Sequence, residues 1–329
     1  MRYLIVDTAN TFFRARYSAS RQSDAWDKLG FAIHLTLSSV AKCWREQKAD
    51  HVVFCLEGRS WRKDIYKPYK ANRAAARAAL TEAEQEEDKL FWETFEELKK
   101  FIIEKTNCTV LHHENLEADD LIAGFIQAHP TDHHTIVSND TDFHQLLSAN
   151  VNQYNGVADE LHTLEGIFDG NGKPVIDKKT KTHKKIEDPN WILFEKCMRG
   201  DTSDNIFSAY PGVRKKGTKN KVGLLEAFED RSNKGFNWNN LMLQRWTDHN
   251  GVEHRVLDDY ERNRILVDLN AQPDDIKIKI ATTIADGSIK KSKPMVGAQF
   301  LKFCGKYDLV RLSDYASQYS EILSAEYPE

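Results

Sequence analysis

Three short apolar runs in this chain each stop at or just before an acid, and that pattern limits the folds open to it. LIVD ends at Asp7, VVFCLE ends at Glu57, and HTIVSND reaches Asp140. Short runs rich in Val, Ile and Phe read as buried strands. An acid where such a run stops is an acid at the mouth of a parallel sheet, where α/β folds build their sites. Asp142 follows Asp140 in the third cluster. Glu117, Asp119 and Asp120 in LEADDLIAGF, with Asp201 and Asp204 in RGDTSDN, bring the total to nine carboxylates in five groups. Where such groups meet, two carboxylates ~4 Å apart repel by about 4 kcal/mol at an effective dielectric of roughly 20. Protons or divalent cations must absorb that charge, and an all-oxygen site suits magnesium or manganese.

Strand and helix alternate along the first half. Strands are expected at 3–7, 52–56, 110–111 and 135–138, with helical spacing over 31–44 and 117–127 and a helix starting at Asp142. Thr81-Glu82-Ala83-Glu84 reads as a capping box. It opens a long helix with Phe91, Phe95, Leu98 and Ile102 facing inward and its glutamates outward. The pattern predicts an α/β domain with a mostly parallel central sheet flanked by helices. The texture changes after about residue 155. Residues 169–188 are rich in Lys, Gly, Asp and Thr and read as a hairpin or mobile loop. Asp188-Pro189 is a helix start. Helices are expected at 190–199, 221–229, 238–246, 258–268 and after Pro294. A boundary near residue 186 divides a core of 1–186 from a helical domain of 187–329.

Composition removes several classes of function. At 329 residues the chain can bury one large core or two smaller ones. No apolar run approaches the ~20 residues that span a bilayer, and MRYLIVDTAN enters a strand directly, unlike a signal peptide. The five cysteines, Cys43, Cys55, Cys108, Cys197 and Cys304, form no CxxC. That argues against a disulfide framework or zinc site and points to a reducing cytoplasm. The pairs His112–His113 and His133–His134 read as solvated loop residues. There is no Walker A sequence, no GxSxG, no DxD after the first strand and no calcium loop.

Net charge is only −4, but it is unevenly spread. Seven Lys or Arg against Asp64 lie between Arg59 and Arg77, and six Lys against Asp177 between Lys173 and Lys185. Five basic residues and no acid run from Arg214 to Lys221, whereas eight acids oppose Lys89 between Glu82 and Glu97. Such runs are ordinarily solvated faces. Together, basic stripes flanking an acidic cluster suit a polyanion whose backbone must reach bound metal ions.

On a helix, Glu117 and Asp120 share a face and Asp119 lies about 100° from Asp120. Asp140 and Asp142 point the same way across a strand-to-helix turn, and Asp201 and Asp204 are three apart in a glycine-led loop. Each acid taken singly also suits a helix cap or turn. As a set, the spacings permit two metal sites. Two metals ~4 Å apart can serve an in-line displacement at phosphorus.

LIVDTAN (4–10), RSWRKDIYKPYKANR (59–73), LEADDLIAG (116–124), VSNDTDFHQLL (137–147) and GDTSDNI (200–206) together resemble the structure-specific 5′-nucleases, the flap endonucleases and 5′→3′ exonucleases. The likeness is greatest to the replication RNase H and exonucleases of tailed bacteriophages, and ERNRILVDLNAQPDDI (261–276) extends it. The resemblance implies a PIN-like nuclease core and an arch formed by about 58–105. It also implies a C-terminal helical domain with a helix-hairpin-type DNA-binding motif. The activity implied is Mg²⁺-dependent 5′→3′ exonuclease, flap endonuclease and RNase H cleavage during phage DNA replication. Two Mg²⁺ ions are implied, with Mn²⁺ able to substitute. The metal acids that the resemblance implies are Asp7, Glu117, Asp119, Asp120, Asp140, Asp142, Asp201 and Asp204. The family carries an Asp near the place of Cys55; Glu57, two residues on, is the substitute ligand expected here. Lys70 and Arg73 are expected at the scissile phosphate.

Nucleic-acid contacts are expected from Arg59, Arg62, Lys63, Lys67 and Tyr69, and from Arg214, Lys215, Lys216 and Lys219 around the PGVRKKG segment. There Arg214 stands where the family has a glycine. Trp61, Tyr66 and Tyr69 are spaced to stack on unpaired bases, with packing of the arch base as the other reading of Trp61. The expected partners are DNA junctions, 5′ flaps and RNA–DNA hybrids, with a single-strand-binding protein, clamp or polymerase alongside. The expected molecule is a monomer in the cytoplasm, that of the host cell for a phage-encoded chain, with no membrane contact. The alternatives are a non-catalytic junction-binding module of the same fold and a single-strand ribonuclease.

Overall fold

A computed structural model describes residues 1–18, 24–210 and 223–328, without the side chains of 15–18. The elements in order are β1 (Arg2–Asp7), α1 (Thr8–Ser18), α2 (Ala25–Gln47), β2 (His51–Cys55), α3 (Arg62–Ile65), α4 (Ala71–Ala78), α5 (Glu82–Lys105), β3 (Thr109–Leu111), α6 (Ala118–Ala128) and β4 (His133–Val137). A 3₁₀ turn (Thr141–Leu146), β5 (Val151–Asn155), β6 (Glu160–Thr163), β7 (Gly166–Asp169) and α7 (Pro189–Arg199) follow. Then come α8 (Leu224–Asp230), α9 (Phe236–Met242), β8 (Arg245–Thr247), β9 (Glu253–Arg255), α10 (Val256–Val267), α11 (Asp274–Gly287), α12 (Val296–Lys306), α13 (Val310–Ser313) and α14 (Ala316–Ser324).

The chain forms two compact units: 1–60 with 80–186 and 275–329, and 61–79 with 187–274. One break falls at residue 186, where the sequence changes texture. The other breaks send 61–79 to the second unit and the last 55 residues, 275–329, to the first. Residues 58–105 are therefore not one element. α4 is exposed throughout and belongs to the second unit, whereas α5 is docked on the core of the first.

The first unit is built on a mixed sheet in the order β3-β2-β1-β4-β5-β6-β7. The first five are parallel, and β6 and β7 turn back antiparallel. Alternation along β1 sends Leu4 and Val6 to one face, where they join Phe12, Leu29, Ile33, Leu37, Phe91, Phe95 and Phe300 in the main core. α5 forms as its sequence requires. Thr81 and Glu84 cap each other reciprocally, and Phe91, Phe95, Leu98 and Ile102 are buried. The C-terminal helix packs on this core through Tyr319, Ile322 and Leu323. Its tail is tied down further: Asn107 N donates to Leu323 O (2.8 Å), Asn107 Nδ2 to Ser324 O (2.7 Å), and His51 Nδ1 to Ala325 O (3.1 Å).

Two readings need correction, and two further stretches form elements that were not anticipated. His134 is buried in β4, with its ring stacked on Tyr3, because a strand residue two places inside the sheet has nowhere else to go. Residues 151–169 form three strands that close the sheet. The segment read as a helix over 238–246 is α9 followed by β8, which pairs with β9 in a hairpin. Residues 274–287 form a helix that buries Ile276, Ile280 and Ile284.

The second unit gathers around Phe194, Met198, Leu224, Trp238, Leu241 and Val256, with a smaller cluster of Tyr69, Cys197, Ile206, Leu266 and Val267. Asp188 caps α7 and Pro189 is its first residue. All five cysteines are free and buried. Among the described residues no helix is long and apolar enough to cross a membrane.

Candidate active site

In a parallel sheet the register decides which residues end together. Asp7 is paired with Cys55 across β1 and β2, and Cys55 with Leu111 across β2 and β3. Val6 is paired with Val137 across β1 and β4, which puts Ser138 beside Asp7. The acids after β1, β2, β3 and β4 therefore leave one edge of one sheet. The chain moves outward from β1 through β2 to β3 and then restarts at β4 on the other side of β1. That reversal is a topological switch point, where open α/β sheets leave a crevice at their carboxyl edge.

Cys55 reports how closely the acids gather. Its thiol is wholly buried, and burial pushes its pKa well above the ordinary value. The nearby charges of Asp7, Asp119 and Glu57 push it further in the same direction. The thiol therefore stays protonated, which makes it neither nucleophile nor metal ligand. Three acids from three different connections are near enough for their charges to act on this one side chain.

Each acid also has local support. Asp7 is buried; Ser138 Oγ donates to its Oδ2 (2.9 Å) and Asn10 N to its Oδ1 (3.2 Å). Glu57 is exposed at the mouth, and its Oε2 accepts from Ala118 N (3.2 Å) at the start of α6. Glu117 accepts from Ser60 Oγ and forms a capping box with Asp120, whose Oδ2 accepts from Glu117 N (3.2 Å). Asp140 Oδ1 accepts from Asp142 N (2.9 Å), and Asp140 N donates to Ser138 Oγ (3.1 Å). Asp119, Asp140 and Asp142 are half-buried.

Sequence reasoning overlooked the residues that orient these acids. Ser138 bridges Asp7 to Asp140, Ser60 holds Glu117, and Gln153 Nε2 donates to both Ser138 O (2.9 Å) and Asp140 O (2.7 Å). Ser138 was visible in VSND as a hydroxyl at a strand end; Gln153 carried no local signal.

The acids at this edge offer carboxylate oxygens, which fits a hard divalent cation. Among the described residues, no three His, Cys, Asp or Glu side chains stand grouped to hold a metal as they are. Their oxygens are engaged by backbone amides and hydroxyls. The donor chemistry therefore fits a metal, while a closed ligand shell is not preformed.

Asp201 and Asp204 lie in the second unit, in a loop opened by Gly200. Gly200 has φ 72°, and a Cβ there would stand 2.3 Å from Ile206 O, so only glycine fits. Asp201 pairs with Lys196 (2.8 Å) and accepts from Ser203 N and Oγ (2.7 Å each). Burial works to raise its pKa, but Lys196 and Ser203 outweigh it and hold the carboxyl down to about 2. Asp204 pairs with Arg73 Nη2 (2.7 Å) and Lys70 Nζ (3.7 Å), and Tyr69 OH donates to it (3.2 Å). Lys70 adopts φ 53°, unusual for a side-chain-bearing residue, and its N–H donates to Asp204 O (2.8 Å). The two cations expected at phosphate are thus set by this loop.

The other expected nucleic-acid contacts divide by burial. Arg59, Lys63, Lys67 and Arg73 are exposed. Arg62 is 2% exposed: its guanidinium lies over the Trp61 ring (4.6 Å) and Nε donates to Leu266 O (2.8 Å). Tyr69 is 4% exposed. Neither Arg62 nor Tyr69 presents a surface to a base or phosphate in this arrangement, which corrects that reading of them, and Trp61 packs. Arg214, Lys215, Lys216 and Lys219 lie outside the described residues.

The fold and the acidic edge define an α/β protein with an all-oxygen site at the switch point of its sheet. Residues 2–178 match the family model described as 5′-3′ exonuclease, N-terminal resolvase-like domain. The chain belongs to the 5′-3′ exonuclease and flap endonuclease family. It is 29% identical over 222 residues to a DNA polymerase I of Rhizobium leguminosarum, covering 66% of this chain and 18% of that protein. It is 25% identical over 229 residues to a 5′-3′ exonuclease of Mycoplasmopsis pulmonis, covering 69% and 68%. The chain thus spans about a fifth of the length of the DNA polymerases I it matches. Among solved structures, its fold is similar to that of the T5 D15 protein co-crystallised with metal ions. There the TM-score is 0.57 at 20% identity, over 87% of this chain and 99% of that one.

Proposed function

We propose that the chain is a divalent-metal-dependent 5′-nuclease acting on DNA junctions, 5′ flaps and primer RNA in RNA–DNA hybrids, in phage DNA replication. The observation that carries this is the register that ends β1, β2 and β4 at one edge, where Ser138 joins Asp7 to Asp140 and Glu57 meets the start of α6. Asp7, Glu57, Glu117, Asp119, Asp120, Asp140 and Asp142 would hold the metal, with Mg²⁺ as the physiological ion. Asp201 and Asp204 form the remaining acidic pair, in competition with Lys196, Lys70 and Arg73. A divalent cation supplies Lewis acidity toward phosphate oxygens and activates water. T5 D15 flap endonuclease has been solved with DNA and metal ions, at 20% identity to this chain.

The protein's own residues set the rest. Ser138, Ser60 and the N-terminus of α6 orient the carboxylates before substrate arrives. The neutral Cys55 thiol fills the place of a further acid without adding charge, and Glu57 restores it from two residues away. Lys70 and Arg73 supply positive charge for the phosphate.

The test is a set of 5′-labelled substrates with Mg²⁺ or with EDTA: a flap, a nicked duplex, an RNA–DNA hybrid and single-stranded RNA. Cleavage of the first three that stops in EDTA is expected, with Asp119→Asn and Asp140→Asn each binding DNA but not cutting it. Binding without cleavage by the unaltered protein supports the junction-binding alternative. Cleavage of single-stranded RNA alone removes the reading.

A further inference from the structure

Lys173, Lys178, Lys179, Lys181, Lys184 and Lys185 lie on one excursion that leaves β7 and returns to α7. All six are exposed, and none has an ion-pair partner among the described residues. Ion pairing of lysines elsewhere is mixed, with Lys28 on Glu87, Lys196 on Asp201 and Lys306 on Glu97 among the pairs, so it is the density of six lysines in thirteen residues that sets the excursion apart. The excursion is not slack chain. Asp169 Oδ1 accepts from Asn171 N and Lys173 N (2.9 Å each), and Asp177 Oδ1 from Lys179 N and Thr180 N (2.8 Å each). These bonds hold both carboxylates ionised and order the turns, and the six lysines still outnumber the two acids three to one.

Topology places this charge. β6 is antiparallel to β5, and β7 antiparallel to β6, so β7 runs with β5 and ends at the edge that carries the acids. The chain leaves there and doubles back along the outer side of β7. Val175 N donates to Ile167 O (2.9 Å), Ile167 N to Lys184 O (2.9 Å), and Lys184 N to Val175 O (2.8 Å). The lysines thus form a strip down the outside of the sheet. Residues 174–177 alone span ~13 Å at ~3.3 Å per residue, the length of about four phosphates of one DNA strand. β7 lies three strands from β4 and four from β1. The strip is one spacing further out, so at ~4.8 Å per strand it stands ~19–24 Å away, or about 6–7 base pairs from a nucleotide held at Asp140 or Asp7.

We propose that this lysine strip binds the sugar–phosphate backbone of a duplex arm, independently of sequence, about half a helical turn or more from the cleaved bond. The proposal rests on the nuclease reading of the acidic edge. Its rival is edge protection, since lysines along an outer strand also keep other chains from pairing with it.

The experiment compares the unaltered protein with a variant in which Lys173, Lys178, Lys179 and Lys181 are all Gln, and a second in which all four are Arg. Binding to nicked duplexes with arms of about 5 or about 20 base pairs is measured across a salt series. Cleavage of the short-arm substrate is followed in parallel. With three or four phosphates released, the Gln variant should show a salt slope shallower by about 3 on the long arm. A fourfold rise in salt should then weaken the unaltered protein about 60-fold more than the variant. The short-arm slope and cleavage should not change, and the Arg variant should match the unaltered protein. An unchanged long-arm slope in the Gln variant, with or without self-association, overturns the proposal. An unaltered protein that binds long arms with the steeper slope but cuts nothing sinks the nuclease reading and leaves the strip standing.

Discussion

Gly58→Ala tests the link between backbone packing and the acidic edge. Gly58 follows Glu57 in the connection after β2, pressed against the connection that leads to Glu117. Leu56 N donates to Leu111 O (2.9 Å), Gly58 N to Leu116 O (2.8 Å), and Arg59 N to Glu114 O (2.7 Å), so the two connections are laced together. A Cβ on Gly58 would stand 2.1 Å from His113 O, 2.8 Å from Leu116 O and 2.9 Å from the Glu114 carbonyl carbon. All three are backbone atoms, so no side chain can rotate away. Reaching even 3.0 Å from His113 O requires about 0.9 Å of separation. Overpacking of this kind costs about 1–3 kcal/mol, and a lost backbone bond about 1 kcal/mol more. We expect a loss of about 2–4 kcal/mol in urea unfolding. The same displacement moves Glu57 away from Ala118 N and the acids of α6. Mn²⁺ affinity should fall, and cleavage should slow by about 10–100-fold, as misplacement near 1 Å does elsewhere. Gly305→Ala is the control. A Cβ there meets nothing within 4 Å and the residue is helical, so it should stabilise by up to about 1 kcal/mol. A Gly58→Ala protein with unaltered urea midpoint and Mn²⁺ affinity would refute the reasoning.

His51 predicts acid sensitivity. Its Nδ1–H donates to Ala325 O and its Nε2 accepts from Thr109 N (3.1 Å), so a second proton would face a backbone N–H. Burial is the main cause that lowers its pKa from 6.5 to about 4. The unfolded chain takes the proton first. Stability is therefore full above pH ~6.5 and falls between there and pH ~4, by about 3 kcal/mol in all. His51→Gln should flatten that part of a pH series of urea midpoints; an unchanged slope counts against the assignment. Asp204 and Arg73 make a further test. If Asp204 acts only by setting Arg73, Asp204→Asn should lose little further activity in an Arg73→Ala background and leave Mn²⁺ affinity unchanged. If it is a metal ligand, the two losses should multiply and Mn²⁺ affinity should drop.

Much of the scaffold was written locally. The apolar runs ending at Asp7, Glu57 and Asp140 are strands or strand exits at one edge, the Thr81 capping box starts α5, and Asp188-Pro189 starts α7. Each signal spans a few residues and depends on nearest-neighbour geometry. Strands β5 to β7 were less legible because they are short and partly exposed, so no clean alternation marks them. The stripe of Ile276, Ile280 and Ile284 is helical in spacing, but only the fold shows it beside α6, where a Cβ on Gly124 would strike Ile280.

The amino-acid order alone determined the α/β class, the acids at the strand ends and the family, because periodicity and caps act over single turns. The tertiary structure alone decided which charged and aromatic groups are spent inside. Arg62 and Tyr69 look like surface contacts in a basic stretch, yet Leu266 O, 204 residues from Arg62, and Asp204, 135 residues from Tyr69, draw them inward. A polar side chain enters the interior only where a partner replaces the water it loses. That partner comes from distant chain, so a local pattern cannot name it.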